Sequence, residues 1–138
     1  MHFVKMKDAV AVVIINKADK YLLIRRAKKD ASEDYWCPVT GAVEKDETQE
    51  QAVIREAKEE LGITVEPEKK VWECLTHNKE YRLHWWVVRH IDDEISANPL
   101  EVKEYRWVSV HEMPAIGKMF DSDLVFFQGI AVTIEREP

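Results

Sequence analysis

Residues 41–63 constrain the fold of this chain more than any other stretch, because they are dense in carboxylates and bounded by glycines. They hold seven acidic residues against three basic ones. Thr48 and Gln51, three residues apart, fit a capping box at a helix N-terminus. Gly62 suits the position that follows a helix C-terminus. The pattern therefore predicts a helix over residues 49–61.

The predicted helix separates apolar from acidic side chains. One face carries an apolar stripe that we expect to meet the core, formed by Val53, Ile54, Ala57 and Leu61. Glu56, Glu59 and Glu60 share the adjacent face at the i,i+3 and i,i+4 spacings. Like charges at these spacings repel, and Mg2+, which binds a few carboxylates together with substrate phosphates, relieves that repulsion. A solvated acidic surface is the alternative that helix geometry alone leaves open.

The spacing of the fixed residues resembles the box of the Nudix hydrolases, G-x5-E-x7-R-E-U-x-E-E-x-G-U, where U is a bulky aliphatic residue. The chain follows this box from Gly41 through Glu47 and Arg55 to Gly62. Its one departure is Ala57, which is smaller than the aliphatic residue usual at that position. We expect this difference to alter packing under the helix and to leave metal ligation intact.

Runs of β-branched and aromatic residues around the helix predict strands. Residues 9–15 are typical of a strand buried on both faces, and residues 21–26 are predicted to return beside it as a hairpin. The other predicted elements are strands over residues 71–76, 81–89 and 105–108, a helical turn after a capping box at residues 109–112, and a terminal helix over residues 123–135 capped by Asp121 or Ser122. The resemblance covers about residues 8–135 and implies an α/β fold, the Nudix α/β/α sandwich with a mixed β-sheet, in a single domain over residues 1–138.

The resemblance also implies a chemistry carried by the helix. Nudix proteins typically hydrolyse a nucleoside diphosphate linked to another group, with water attacking phosphorus and Mg2+ or Mn2+ bridging the phosphates. Carried over residue by residue, Glu56 and Glu60 become the first candidates for direct metal ligands. Glu59 becomes the third ligand and a catalytic residue. Arg55 would orient these carboxylates, and Glu47 would brace Arg55.

Two further roles follow from the resemblance. The loop before the helix is expected to supply a backbone carbonyl to the metal, from Thr40 or Gly41. Many family members have Gly-Gly at this place, and a Val-Thr-Gly sequence is similar to that of relatives acting on nucleoside triphosphates or dihydroneopterin triphosphate. Glu104, three residues before Trp107, matches a common family arrangement for the general base, and Glu101 is the alternative.

Substrate contacts are predicted from residue type and position. Arg26, at the end of the second predicted strand, is a candidate phosphate contact. Trp36 and Trp86 are candidate stacking platforms for a base. Because neighbours in a strand point to opposite faces, Trp85 and Trp86 cannot share one. We expect one of them in the core and the other free for the cleft or for a homodimer interface.

Charge and apolar patterning exclude several classes of function. A formal net charge of -6 argues against binding to polymeric nucleic acid through bulk electrostatics, although a metal ion can still supply positive charge for a nucleotide. The apolar run at residues 9–15 is too short to span a membrane and lacks a signal-peptide cleavage site. We therefore expect a cytoplasmic protein in which Cys37 and Cys74 are reduced.

The leading hypothesis is Mg2+-dependent or Mn2+-dependent hydrolysis of the pyrophosphate linkage in a nucleoside diphosphate derivative, with nucleoside triphosphates favoured. One alternative is a non-catalytic module that senses a nucleotide, although such modules usually lack some box carboxylates. The other is an activity like that of isopentenyl diphosphate isomerase, for which Cys37 before Pro38 is a candidate residue. The short chain and intact box favour hydrolysis.

Overall fold

A computed structural model of the chain describes residues 6–90 and 94–134, apart from the side chain of residue 90. Its elements in chain order are β1 (Lys7–Val13), β2 (Tyr21–Arg26), β3 (Trp36–Cys37), β4 (Val39–Ala42), α1 (Gln49–Leu61), β5 (Val65–Leu75), β6 (Tyr81–His90), β7 (Val102–Val108), α2 (Met113–Ile116), α3 (Asp121–Gln128) and a 3-10 turn (Ile130–Thr133). None of the helices in these residues has the length and apolar character that crossing a membrane requires.

The strands form two sheets. The larger sheet has the order β4-β1-β6-β5 and is mixed, because β1 runs parallel to β6 and its other pairs are antiparallel. The smaller sheet has the order β3-β2-β7 and is antiparallel. A mixed sheet packed between helices confirms the α/β fold class.

The predicted hairpin of the first two strands is wrong. β1 lies between β4 and β6, whereas β2 lies between β3 and β7, so each strand already has two partners. At the turn between them, Ile15 bridges Tyr21 and the Leu22 N–H donates to the Ile14 carbonyl at 3.0 Å. Both strands are apolar enough to be central, so the turn between them passes the chain from one sheet to the other.

The mixed sheet has an apolar layer on each face. Along β1, Val10 and Val12 pack in the layer that includes α1, and Ala11 and Val13 pack in the layer that includes α3. In the second layer Trp85 is fully buried, with its ring stacked on a phenylalanine of α3 at a centroid distance of 4.2 Å. This is the core role predicted for one of the two adjacent tryptophans.

The predicted central helix is confirmed with its caps. Thr48 Oγ1 accepts the Gln51 N–H at 3.1 Å, and the Gln51 side chain accepts the Thr48 N–H at 2.9 Å. Gly62 has φ 67, in the left-handed region that favours glycine, and donates to the Lys58 carbonyl at 3.0 Å. One member of the predicted core stripe differs, since Ile54 is 42% exposed.

The ends of other elements differ from prediction. β5 and β7 begin earlier than expected, and β3 and β4 form on either side of Pro38. The terminal helix starts at Asp121 with Phe120 as its N-cap and makes no side-chain capping bond, so capping by Asp121 or Ser122 is wrong. This helix ends at Gln128, and residue 135 of the predicted span lies outside the described residues.

Candidate metal and nucleotide site

A cleft of about 660 Å³ lies between the two sheets and α1, α3 and the β5–β6 turn. Its volume is in the range of small-molecule sites. Four of the side chains that line it are carboxylates, which we call the acidic wall: Glu56, Glu59, Glu60 and Glu101. Three rings also line it, which we call the aromatic wall: His77, Tyr81 and Phe120; Asp123 is a further lining residue.

Arg55 is the cation that joins the box carboxylates. Its guanidinium donates twice to Glu47, from Nε at 2.8 Å and from Nη2 at 2.9 Å. Its Nη1 donates to Glu56 at 2.7 Å and to Glu59 at 3.2 Å, and Nη2 also reaches the Ala42 carbonyl at 2.9 Å. The hydrogen bonds from Arg55 lower the pKa of Glu47. These contacts are the ones that an orienting Arg55 and a bracing Glu47 require.

The Glu56 carboxylate lies directly on the backbone of Gly41. A Cβ added at residue 41 would stand 2.0 Å from Glu56 Cδ, a separation that real Cβ atoms do not show. Gly41 pairs with Val10 of β1, so β4 brings this glycine against the helix. A side chain at residue 41 would therefore displace the Glu56 carboxylate from its present position.

Glu60 is the buried member of the acidic wall, with 4% of the residue exposed. Burial, together with the nearby Glu56 and Glu101 carboxylates, raises the pKa of Glu60 far above its usual range. Within the described residues, Glu60 Oε2 is buried and has no hydrogen-bond partner. A buried carboxyl oxygen in this state is costly unless a proton or a cation compensates it.

The side chains as they stand do not form a complete ligand set. Among residues 6–90 and 94–134, no three His, Cys, Asp or Glu side chains converge on one position for a metal ion. Glu56 and Glu59 both accept hydrogen bonds from Arg55. The unpaired oxygen of Glu60 and the all-oxygen donors nonetheless suit Mg2+ or Mn2+. Ligation by these three glutamates and by a carbonyl of the preceding loop stays a prediction.

Thr40 and Gly41 both line the cleft, in β4 and facing the end of α1. Thr40 pairs with Ala11 of the neighbouring β1. The predicted carbonyl donors are therefore on the same side of the cleft as Glu56. Neither residue has positive φ, so threonine at residue 40 meets no backbone strain.

The two candidates for the general base lie in different places. Glu104 is outside the cleft, on β7, with its Oε1 3.8 Å from Arg25 Nε and 3.4 Å from Arg106 Nη2. Glu101 lines the cleft, in the loop before β7. That loop is held to α1, because the Asn98 N–H donates to the carbonyl of a helix residue, Glu60, at 2.9 Å. Of the two candidates, Glu101 therefore lies in the cleft and Glu104 lies outside it.

Of the predicted substrate contacts, one lines the cleft. Arg26 does so, and its Nε donates to Ser32 Oγ at 2.8 Å. Trp36 is 3% exposed and packs under Arg106 at 5.2 Å, whereas Trp86 Nε1 donates to the Gln49 side chain at 3.0 Å. Neither tryptophan lines the cleft. Strand alternation separates the two faces of a strand but does not say which face the cleft uses, and stacking by these two tryptophans stays a prediction that the cleft lining does not support.

The sequence reasoning missed Asp123 and the rings near it. Asp123 is 3% exposed, lines the cleft, and has its pKa raised to about 7 by burial. One signal was available, because Asp123 precedes the buried Phe126 by three residues, a spacing that places both on one helix face. An acid on the buried face of a helix is a candidate functional residue.

Comparisons with known proteins agree with this geometry. The family model described as NUDIX domain matches residues 5–128. CTP pyrophosphohydrolase of Escherichia coli (strain K12) is 35% identical over 114 residues, which cover 78% of this chain and 79% of that protein. The NAD-capped RNA hydrolase NudC of Stutzerimonas stutzeri is 25% identical over 119 residues, which are 83% of this chain but only 41% of that protein.

The fold is shared with solved structures as well. The crystal structure of MutT protein from Methanosarcina mazei Go1 matches with a TM-score of 0.80 at 23% identity, covering 95% of this chain and 96% of that one. The family model spans most of the chain, and the box carboxylates lie together on the wall of a cleft. The chain therefore belongs to the Nudix hydrolase family, as an enzyme of the class that hydrolyses phosphorus anhydrides.

Proposed function

We propose that this protein hydrolyses the pyrophosphate linkage of nucleoside triphosphates or related nucleoside diphosphate derivatives with Mg2+ or Mn2+. The observation that carries the proposal is the buried, unpaired Glu60 oxygen beside Glu56, in a cleft that also contains Arg26. Phosphates approaching a wall of carboxylates need a cation between the two. When bound, the divalent ion supplies charge neutralisation and an activated water.

Side chains around the cleft have separate proposed roles in the reaction. Arg55 holds Glu56 and Glu59 in position through its Nη1, and Glu47 fixes Arg55 by a bidentate pair. Glu101 is the proposed general base, because it is exposed in the cleft and its loop is anchored to α1. In this role its carboxylate accepts a proton from the attacking water.

Arg26 is the proposed phosphate contact. Its Nε is occupied by Ser32 Oγ at 2.8 Å, and Ser32 Oγ in turn donates to Asp30 at 2.6 Å. This chain of hydrogen bonds fixes the guanidinium, which also reaches the Cys37 thiol, and its terminal N–H groups are the proposed donors to phosphate oxygens. Lys28 also lines the cleft and supplies a second cation.

The aromatic wall is the proposed place of the base. A buried carboxyl at Asp123 suits N–H donors on a base edge, and Phe120 offers ring surface. Similarity to CTP pyrophosphohydrolase over nearly four fifths of both chains favours a nucleoside triphosphate. Dihydroneopterin triphosphate diphosphatase of Escherichia coli (strain K12), 41% identical over 65 residues, covers only 47% of this chain and makes a pterin triphosphate the second candidate.

The isomerase alternative is disfavoured by the cysteine on which it depends. Cys37 lies at the edge of the cleft but is buried, and burial raises its pKa to about 12. A thiol in this state does not supply a thiolate at neutral pH. We further propose a single cytoplasmic domain whose partner is a nucleotide, without polymeric nucleic acid or membrane; a homodimer stays a prediction.

A hydrolysis panel tests the proposal. Nucleoside triphosphates, ADP-ribose, dinucleoside polyphosphates and isopentenyl diphosphate are each incubated with the parent protein and Mg2+ or Mn2+. We expect phosphate or pyrophosphate release from at least one nucleotide, a loss of roughly 100-fold or more in Glu60→Gln, and no change in the exposed control Glu68→Gln. Tight nucleotide binding without turnover would favour the nucleotide-sensing module instead. Full activity of Glu60→Gln would contradict the assignment of Glu60 as a metal ligand.

A further inference from the structure

Three rings from three different elements stack at the aromatic wall. The Phe120 ring centroid lies 4.6 Å from that of Tyr35 and 4.9 Å from that of His77, with interplanar angles of 31° and 20°. The His77 ring is stacked on Phe120, and the Tyr35 ring packs against Phe120 at a tilt. We call Tyr35, Phe120 and His77 the ring column. Since Phe120 and His77 both line the cleft, the ring column borders the space available to a substrate.

Two members of the ring column are held by backbone hydrogen bonds. The Tyr35 N–H donates to the Ser32 carbonyl at 3.1 Å, and its carbonyl accepts the Arg26 N–H at 2.9 Å. Phe120 is the N-cap of α3, where its carbonyl accepts the Leu124 N–H at 3.1 Å. Their rings are therefore fixed by the loop after β2 and by the start of a helix.

His77 is held differently, on the turn between β5 and β6. The turn is closed without it, since Thr76 Oγ1 donates to Asn78 Oδ1 at 2.7 Å and accepts the Tyr81 N–H at 3.2 Å. Asn78 Oδ1 also accepts the Glu80 N–H at 3.1 Å. The exposed His77 ring has no hydrogen bond within the described residues, and its contact there is the stack on Phe120.

We propose that the base of the substrate inserts between Phe120 and His77, so that His77 covers its outer face. This inference rests on the proposed function, because it requires a substrate that carries a base. The His77 ring must retreat by about one ring thickness, roughly 3.5 Å. It loses the stack on Phe120 and regains a stack on the base, while the hydrogen bonds of the turn persist. His77 is then a specificity-determining residue that discriminates flat rings from other groups.

The test compares His77→Ala and His77→Phe with the parent protein. His111→Ala serves as a control, since it makes the same change at an exposed position outside the cleft. For each nucleotide that the parent hydrolyses, kcat and KM are measured, together with the inhibition constant of inorganic tripolyphosphate, which has no base. Dissociation constants of every nucleotide in the hydrolysis panel are measured by equilibrium dialysis, whether or not the parent hydrolyses it, so that one readout does not need turnover.

We expect His77→Ala to raise KM and the dissociation constant about 2- to 10-fold, which corresponds to one aromatic stack. Turnover and tripolyphosphate inhibition should stay within about twofold of the parent, and His77→Phe should restore KM. An unchanged dissociation constant in His77→Ala would overturn the inference, as would an equal weakening of tripolyphosphate. Failure of the parent to hydrolyse any nucleotide would instead refute the proposed function, and dialysis would still decide the role of His77.

Discussion

Replacing Gly41 with alanine tests how finely the acidic wall is positioned. The added Cβ would stand 2.0 Å from Glu56 Cδ and 2.1 Å and 2.5 Å from its two oxygens. Ordinary carbon contacts need about 3.5 Å, so the carboxylate must retreat by more than about 1 Å. The Glu56 side chain is flexible enough to move, but it then leaves the position in which Arg55 holds its carboxylate at 2.7 Å.

We expect Gly41→Ala to lower the activity of the protein much more than its free energy of unfolding. A displacement of about 1 Å in a catalytic group costs about 100-fold in rate, or roughly 2.7 kcal/mol. Alanine at an edge strand position without positive φ loses little stability, and a flexible side chain absorbs the clash. We therefore expect kcat/KM of Gly41→Ala to fall about 100-fold, with the free energy of unfolding changed by less than about 1 kcal/mol.

The assay is steady-state hydrolysis of the best nucleotide with Mg2+, beside urea unfolding of the same preparations. Gly129→Ala is the matched control, because its Cβ would meet only a backbone carbonyl of α3 at 3.1 Å, away from the cleft. A kcat/KM of Gly41→Ala within about threefold of the parent would refute the reasoning. So would a loss of activity that simply follows unfolding.

Three other changes have definite expected results. Asp123→Asn should remove a stability loss that the parent suffers as pH rises from about 4 to 7, because burial raises the pKa of Asp123 to about 7 and disfavours its charged form in the folded state. Roughly two pKa units of this shift lie above pH 5, so urea unfolding at pH 5 and pH 8 should show the parent losing up to about 3 kcal/mol more than Asp123→Asn does, and a pH-independent difference between the two proteins would contradict this. Glu101→Gln should lower kcat about 100-fold while Glu104→Gln leaves it within about threefold, and the reverse order would restore Glu104 as the base. Arg55→Ala should lower the free energy of unfolding by roughly 2 kcal/mol, which is less than the loss of a fully buried ion pair because the Arg55 side chain is 21% exposed. Added Mg2+ should raise the thermal unfolding midpoint of Arg55→Ala and so recover part of that loss. A midpoint that does not change with Mg2+ would contradict the role of Arg55.

Sequence signals within a few residues of each other predicted the features that depend on short-range hydrogen bonds and helix geometry. The boundaries of α1 follow from Thr48, Gln51 and Gly62, whose hydrogen bonds reach no further than four residues along the chain. The carboxylates of the box share a face for the same reason, since helix geometry alone relates i to i+3 and i+4. These features therefore needed no knowledge of the rest of the fold.

Features that depend on distant partners escaped prediction. Nothing near β1 or β2 says that each is central in a different sheet, because that choice depends on β6 and β7 far along the chain. The same holds for Trp86, whose partner Gln49 lies on a helix 37 residues away. Glu101 and Glu104 are three residues apart, and Glu101 is in the loop that the Asn98 N–H anchors to the Glu60 carbonyl of α1, whereas Glu104 lies on β7.

Titration with Mn2+, followed by the electron paramagnetic resonance signal of the free ion, tests the central claim most directly. The claim is that the carboxylates of the acidic wall that lie on α1 bind a divalent cation for hydrolysis. We expect the parent and Glu68→Gln to bind Mn2+ equally, and Glu56→Gln and Glu60→Gln to bind it at least about tenfold more weakly, in parallel with their loss of hydrolysis. Undiminished Mn2+ binding by Glu60→Gln would contradict the claim.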